Sequence, residues 1–337
     1  MRPTFSIILF TVLSGVGYGL WFLIGLGLAV HWPVCGLRGA VSESGLSLTL
    51  CGPPGAVHYS LLAAFLLVST GLLSSLGHLG QPQRAWRALS QWRSSWLSRE
   101  GVASILTFVP ATLLIAILFA IPRMDVAMSL LDGLRPLGAL LAIGSVATVF
   151  CTANIYACLK PIRAWHNRYV VPAYLLLGLY GGALCLWALA TLPGAGLAHE
   201  TPALLGGLVV VAALCAGLKV FYWRHIDGDD TPGAGHATGL DTLGTARSFE
   251  QPHTEENYLT HEMGFVLARK HSRKLRAIAL IAGFVVPAVL AALGLAMPAM
   301  RGILAWLVLV SGMSGIFVER WLFFAEAKHA VMAYYAR

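Results

Sequence analysis

Charge is scarce in this sequence. Of 337 residues only 11% are Asp, Glu, Lys or Arg, while 57% are hydrophobic and the mean hydropathy is +0.73. A soluble domain carries about 25% charged residues, so the chain has too little polar surface to cover a water-soluble globule, and a bilayer suits it. The charge that exists is lopsided, with 23 basic against 15 acidic residues and a net +8. The basic residues stand in short runs between apolar stretches, as a membrane protein marks its cytoplasmic face. No nucleic-acid partner is expected.

Three further scarcities narrow the chemistry. The apolar runs hold almost no ionisable residue; the exceptions, Arg135, Lys219, Glu319 and Arg320, lie near helix ends. Ion-coupled carriers need such groups near mid-membrane, so a transporter of sulfur oxyanions is a minor alternative. Nearly all of the 11 histidines fall in connections or, like His58 and His78, at the end of a span. Bis-histidine haem needs deep pairs on facing helices, so no haem is expected. The six cysteines form no C-x-x-C, and no iron–sulfur cluster or zinc site is expected in this chain. Cys151 and Cys158, seven apart, are read as packing, as are Cys185 and Cys215. Cys35 and Cys51 both fall in the first external connection, where an oxidising compartment allows either a disulfide or two free thiols.

Eight apolar segments are long enough to cross the hydrocarbon core: roughly 5–30, 57–79, 101–121, 133–159, 170–192, 202–223, 275–297 and 302–325. The first is too long for a signal-peptide core and has no clean cleavage site. The expected fold is an all-α integral membrane protein, one domain over 1–337 built as a bundle of eight transmembrane helices. With alternating spans, nineteen Lys and Arg fall on the side of the N-terminus and four on the other. The positive-inside rule then puts both termini in the cytoplasm, in the inner membrane of a bacterium. One connection is long, 224–274. Its part 227–247, rich in Gly, Asp and Thr, reads as flexible loop. Its part 254–274 reads as a surface helix, acidic at its start and basic at its end, that either rests on anionic lipid or docks a cytoplasmic subunit.

The second-to-third connection carries the candidate site. It reads LGHLGQPQRAWRAL, then WRSSWLSREG from Trp92 to Gly101. His78 closes one span and Glu100 opens the next. Alone, a terminal histidine is more often structural, and a Glu at a helix N-terminus simply suits the dipole. Together they bracket a short connection at the membrane surface. Quinone chemistry moves two electrons and two protons, and needs a hydrogen-bond partner at each ring oxygen plus groups that trade protons with water. A histidine titrates near neutrality, and a half-dry glutamate can be brought into the working range. Trp86, Trp92 and Trp96 beside the arginines are either an interfacial belt or aromatics flanking a ligand headgroup.

GHLGQPQRAW, ALSQWRSSWLSREG, the opening SIILFTVLSGVGYGL and the closing FVERWLFFAEAKH resemble the membrane anchor subunit family of dimethyl sulfoxide reductase over essentially the whole chain. The resemblance implies an anchor that binds menaquinone or ubiquinone and carries no cofactor of its own. It would hold a four-cluster iron–sulfur subunit and a molybdopterin catalytic subunit at the cytoplasmic face. His78 matches the family's quinone-site histidine and Glu100 its essential glutamate. Arg99, Trp92, Ser95 and Ser98 are candidates by proximity only. The long connection, with NYLTHEMGFVLARKHSRKLR, is similar to the branch found in cytoplasmic sulfite-oxidising complexes, which leaves the direction of electron flow open. A purely structural anchor, with quinone held by a partner, is the competing reading.

Overall fold

The computed structural model describes residues 3–30, 38–42, 45–49, 55–120, 128–192, 201–228, 234–240, 242–244, 246, 249–250 and 271–331. Among these are eight helices long and apolar enough to cross a membrane. They are α1 (Phe5–Ala29), α2 (Ala56–Ser75), α3 (Trp96–Ala120), α4 (Met128–Ala157), α5 (Val170–Ala190), α6 (Thr201–Gly228), α7 (Ser272–Ala296) and α8 (Arg301–Ala325). The hydropathic segments therefore mark the spans correctly. The largest shifts of boundary are of five residues: α3 begins at Trp96 rather than 101, α4 at Met128 rather than 133, and α6 runs to Gly228 rather than 223.

Three smaller elements were not expected from the sequence. In the first connection Arg38–Ser42 pairs antiparallel with Gly45–Thr49. The alternation of Leu46 and Leu48 with Ser47 and Thr49 is the short-period signal that a hydropathy window averages away. Cys35 and Cys51, on either side of this hairpin, lie outside the described residues. Within the segment read as flexible, Ala234–Thr238 forms one helical turn. Gly239, at φ +72°, closes it, in the left-handed conformation glycine adopts without strain. Pro82–Gln91 winds as a 3-10 helix between α2 and α3. Most of the proposed surface helix 254–274 lies outside the described residues; the described chain resumes at His271 and enters α7 at Ser272.

α1 is the hub, packed against α2, α4 and α5, while α3 packs on α4, and α5 to α8 pack among themselves. In lipid there is no hydrophobic drive between helices, so contact depends on small residues that let backbones approach. A side-chain carbon on Gly19 of α1 would collide with the Gly178 carbonyl of α5, and one on Gly315 of α8 with the backbone of Gly283 in α7.

α7 is not regular. It widens into a π turn over Ile281–Val285, just before Pro287. Proline has no N–H for the carbonyl four residues back, here Gly283. The Tyr180 hydroxyl of α5 donates to that carbonyl at 2.6 Å, and the Ser311 hydroxyl of α8 donates to the Ala282 carbonyl at 2.7 Å. The backbone oxygens exposed by the bulge thus gain partners from neighbouring helices, as a span requires.

The ionisable residues of the second half are gathered rather than scattered. Lys219 lies nine residues inside the end of α6, about 13 Å by helical rise, and not at its tip. Its Nζ is 2.6 Å from Glu319 Oε1 of α8. Arg320 grips the same carboxylate, Nε to Oε2 at 2.5 Å and Nη2 to Oε1 at 3.0 Å. All three are buried. Two cations face one carboxylate, and the excess positive charge meets ring faces: Lys219 Nζ is 3.8 Å from the Tyr222 centroid, and Arg320 Cζ is 4.3 Å from that of Tyr174. At the end of the bundle, Arg276 in the first turns of α7 links Asp227 in the last turn of α6 (2.6 Å) to Glu326, just past α8 (2.8 Å). Burial pushes the Glu326 carboxyl up, and Arg276 draws it part of the way back.

Two stability tests follow from this packing. Gly315→Val forces α7 and α8 apart and is expected to cost about 1–3 kcal/mol, as overpacking does, read as a lower melting temperature in detergent; an unchanged melting point would contradict the contact. Glu319→Gln strands two buried cations, with an expected loss of about 3–5 kcal/mol. Lys219→Met leaves the Glu319–Arg320 pair whole and should cost less. The reverse order would show that the triad does not hold α6 to α8.

Candidate functional site

Antiparallel alternation brings the N-terminal ends of α3, α5 and α7 and the C-terminal ends of α4, α6 and α8 to one end of the bundle. Contacts across it include Thr152 with Glu100, Trp165 with Phe323, and Arg276 with Asp227. His78 and Glu100 belong to this end.

Glu100 sits in the first turns of α3 and is 5% exposed. The Thr152 hydroxyl of α4 donates to its Oε1 at 2.5 Å. Among the described side chains no cation lies within ion-pair distance of it, in contrast to Glu319, which two cations clasp. A helix N-terminus accounts for the placement of a carboxylate here, and the hydroxyl supplies one hydrogen bond, but burial without a counter-charge is costly. Such a group is suited to exchanging a proton.

The other candidates are spread over the connection. Ser98 is buried, and its hydroxyl donates to the Ala88 carbonyl, tying the 3-10 segment to α3. Ser95 immediately precedes α3 and its N–H donates to the Gln91 carbonyl at 2.9 Å. Arg99 turns away from Glu100: Nε donates to the Trp92 carbonyl at 3.1 Å and Nη2 to the Arg93 carbonyl at 2.6 Å, with Cζ 4.4 Å from the Trp96 ring centroid. Trp86 and Trp92 are exposed, each with an arginine over its ring. His78 ends a single 3-10 turn, Leu76–His78, that continues α2 beside the first turn of α1. Its side chain lies outside the described residues.

Below Glu100 runs a seam of hydroxyls that the sequence reading did not single out. Glu100, Ser104 and Thr107 follow one face of α3 at i, i+4 and i+7. Ser145, Thr148 and Thr152 follow the facing side of α4, and the Thr107 and Thr148 hydroxyls are 3.3 Å apart. From α1, the Tyr18 hydroxyl comes up to those of Ser104 and Thr148 without a well-formed bond to either, and the Ser104 hydroxyl is likewise buried without a partner. The signal was present in the spacing of Ser and Thr. It was masked because helical Ser and Thr usually donate to their own i−4 carbonyl, as Thr107, Ser145 and Thr148 do here.

On the other side of Tyr18 a small groove of about 170 Å³ opens between α1, α4 and α5. Phe22, Val146, Val149 and Leu176 line it, with Gly19 and Gly178 at its floor. Among the described residues no cluster of three or more His, Cys, Asp or Glu could hold a metal ion.

Comparison with known proteins fits this architecture. The family model for the DMSO reductase anchor subunit (DmsC) matches residues 1–325. The chain is similar to a sulfite dehydrogenase subunit of Allochromatium vinosum, 30% identical over 348 residues that cover 99% of each chain. It is also similar to the anaerobic dimethyl sulfoxide reductase chain YnfH of Escherichia coli, 30% identical over 163 residues, 46% of this chain and 52% of that one. No solved structure gives a significant match. A bundle of eight apolar helices matched along nearly its whole length by one family model is a membrane anchor, and the chain belongs to the DMSO reductase anchor subunit family.

Proposed function

We propose that this chain is the quinone-reactive anchor of a molybdopterin and iron–sulfur oxidoreductase complex, passing electrons from sulfite oxidation to the quinone pool. The observation that carries the reading is Glu100, a carboxylate buried among hydroxyls without a described counter-cation, at the end of the bundle where the basic connections gather. Full-length similarity to a sulfite dehydrogenase subunit supports the direction. The partial similarity to YnfH favours a second reading, an anchor that oxidises quinol for an S- or N-oxide reductase.

In the first reading the iron–sulfur and catalytic subunits sit on the cytoplasmic face, where nineteen of the 23 basic residues are counted. His78 donates a hydrogen bond to one ring oxygen. Glu100 takes protons from the cytoplasmic water and delivers them toward the ring. Quinone supplies the two-electron, two-proton acceptor. Because electrons and protons reach it from the same side, turnover moves little net charge across the membrane.

In the assembled complex, Glu100→Gln and His78→Ala should each lower quinone-linked turnover by about a hundredfold or more, the scale of a lost acid–base group. Turnover with a soluble dye, which draws electrons upstream of the quinone, should persist. Normal quinone-linked rates in both variants would remove the assignment and leave a structural anchor. A fluorescent protein fused after Arg337 should fold and fluoresce; a dark fusion with an active exported reporter in its place would reverse the orientation.

A further inference from the structure

Glu100 and Glu319 are both buried in spans, yet they meet opposite kinds of partner. Glu319 is held by Lys219 Nζ at 2.6 Å and by the Arg320 guanidinium. An ammonium and a guanidinium carry donors only, so they suit a carboxylate and can accept nothing from a carboxylic acid. Glu100 meets the Thr152 hydroxyl instead, at 2.5 Å. A hydroxyl has one hydrogen to give and two lone pairs to receive, and its hydrogen rotates to suit its surroundings. The Thr152 oxygen also lies 3.0 Å from the Thr148 carbonyl, one turn back on α4. That single hydrogen therefore has two acceptors within reach and can serve only one at a time. The neighbours leave this choice open. Tyr18 of α1, Cys151 and Tyr156 of α4 and Tyr174 of α5 stand near enough to feel the charge of Glu100, and none of them is a cation. Arg99, on the same helix, is turned to the Trp92 and Arg93 carbonyls. Arg87 and Arg93 of the preceding connection lie over Trp86 and Trp92. Arg320 of α8 stands against the Tyr174 ring and is bound to Glu319.

We propose that Thr152 is the positioning residue that lets Glu100 gain and lose a proton in place, its hydroxyl switching between the Glu100 carboxyl and the Thr148 carbonyl. With Glu100 ionised, the Thr152 hydroxyl donates to Oε1. When a proton from cytoplasmic water settles on Oε1, the new carboxyl O–H donates to the Thr152 oxygen, and the Thr152 hydrogen turns to the Thr148 carbonyl. Release of the proton reverses both turns. One proton enters, one leaves, and Thr152 keeps its own. No heavy atom has to move, and Oε1 has a hydrogen bond in either state, so neither form bears the cost of a buried group left unbonded. The proposal rests on the proton-exchange role given to Glu100 above and adds the residue that keeps both of its forms in one place.

The test uses the intact complex with its partner subunits. Thr152→Val keeps the branched shape and removes the hydroxyl. Thr152→Ala removes it without adding bulk and stands in if the valine variant fails to assemble. Thr152→Ser returns the hydroxyl on a smaller side chain. Quinone-linked kcat is expected to fall about tenfold in the hydroxyl-free variants, the scale of one hydrogen bond to a charged group, with dye-linked turnover unchanged. Thr152→Ser should turn over close to the unaltered rate. In infrared difference spectra between acid and alkaline samples, the carboxylic C=O band that vanishes in Glu100→Gln should move to higher frequency in the hydroxyl-free variants, because the carboxyl O–H has lost its acceptor, and should return in Thr152→Ser. An unchanged kcat in the hydroxyl-free variants overturns the proposal. So does a band that stays in place, or a serine variant as slow as the valine one, which would reduce Thr152 to packing. In each of these cases Glu100→Gln stays slow and the quinone reading stands. Normal quinone-linked turnover in Glu100→Gln would instead remove the reading on which the proposal rests.

Discussion

A bilayer offers no water to a stray charge or carbonyl, so each polar group inside the bundle must find its partner in protein. In the second half of the chain the buried charges of the spans and the carbonyls of the π turn meet this demand by pairing, while the Tyr174 hydroxyl, the Trp187 indole N–H and Glu326 Oε2 are buried without a hydrogen-bond partner. Glu319 is clasped by Lys219 and Arg320, whose surplus charge rests on Tyr222 and Tyr174. The carbonyls freed by the π turn in α7 go to Tyr180 and Ser311. These contacts tie α5, α6, α7 and α8 to one another.

In the first half one buried carboxylate is treated differently. Glu100 has a hydroxyl where Glu319 has two cations, and the hydroxyls of Tyr18 and Ser104 are buried without well-formed bonds. The contrast between two buried glutamates, one neutralised and one left in hydroxyls, separates structural from chemical roles better than either residue could alone.

The connection before α3 has a different part to play. Arg99 spends its guanidinium on two carbonyls of the preceding turn, and Ser98 fastens the same segment to α3. Trp86 and Trp92 stay outside, each under an arginine. Their arrangement fits an interfacial belt better than a ring around a ligand. What this segment does for Glu100 is hold the start of α3 in place at the membrane surface.

Spans and their number could be read from the sequence because both depend on one local quantity, the length of uncharged apolar runs, which the thickness of hydrocarbon converts directly into helices. His78 and Glu100 were legible as candidates for a similar reason: they stand at the ends of two spans whose interiors hold no Asp, Glu, Lys or Arg. The hydroxyl seam, the triad and the groove were not. Thr152 lies 52 residues from Glu100, and Lys219 lies 100 residues from Glu319. Lys219 looked like a helix-end residue because a hydropathy window stopped short of the last turn of α6. Which faces of α1, α3 and α4 meet is set by where glycine permits backbones to touch. Composition determined that this chain lives in a membrane, and only tertiary packing decided which of its few polar side chains were brought together there and which were left without a bond.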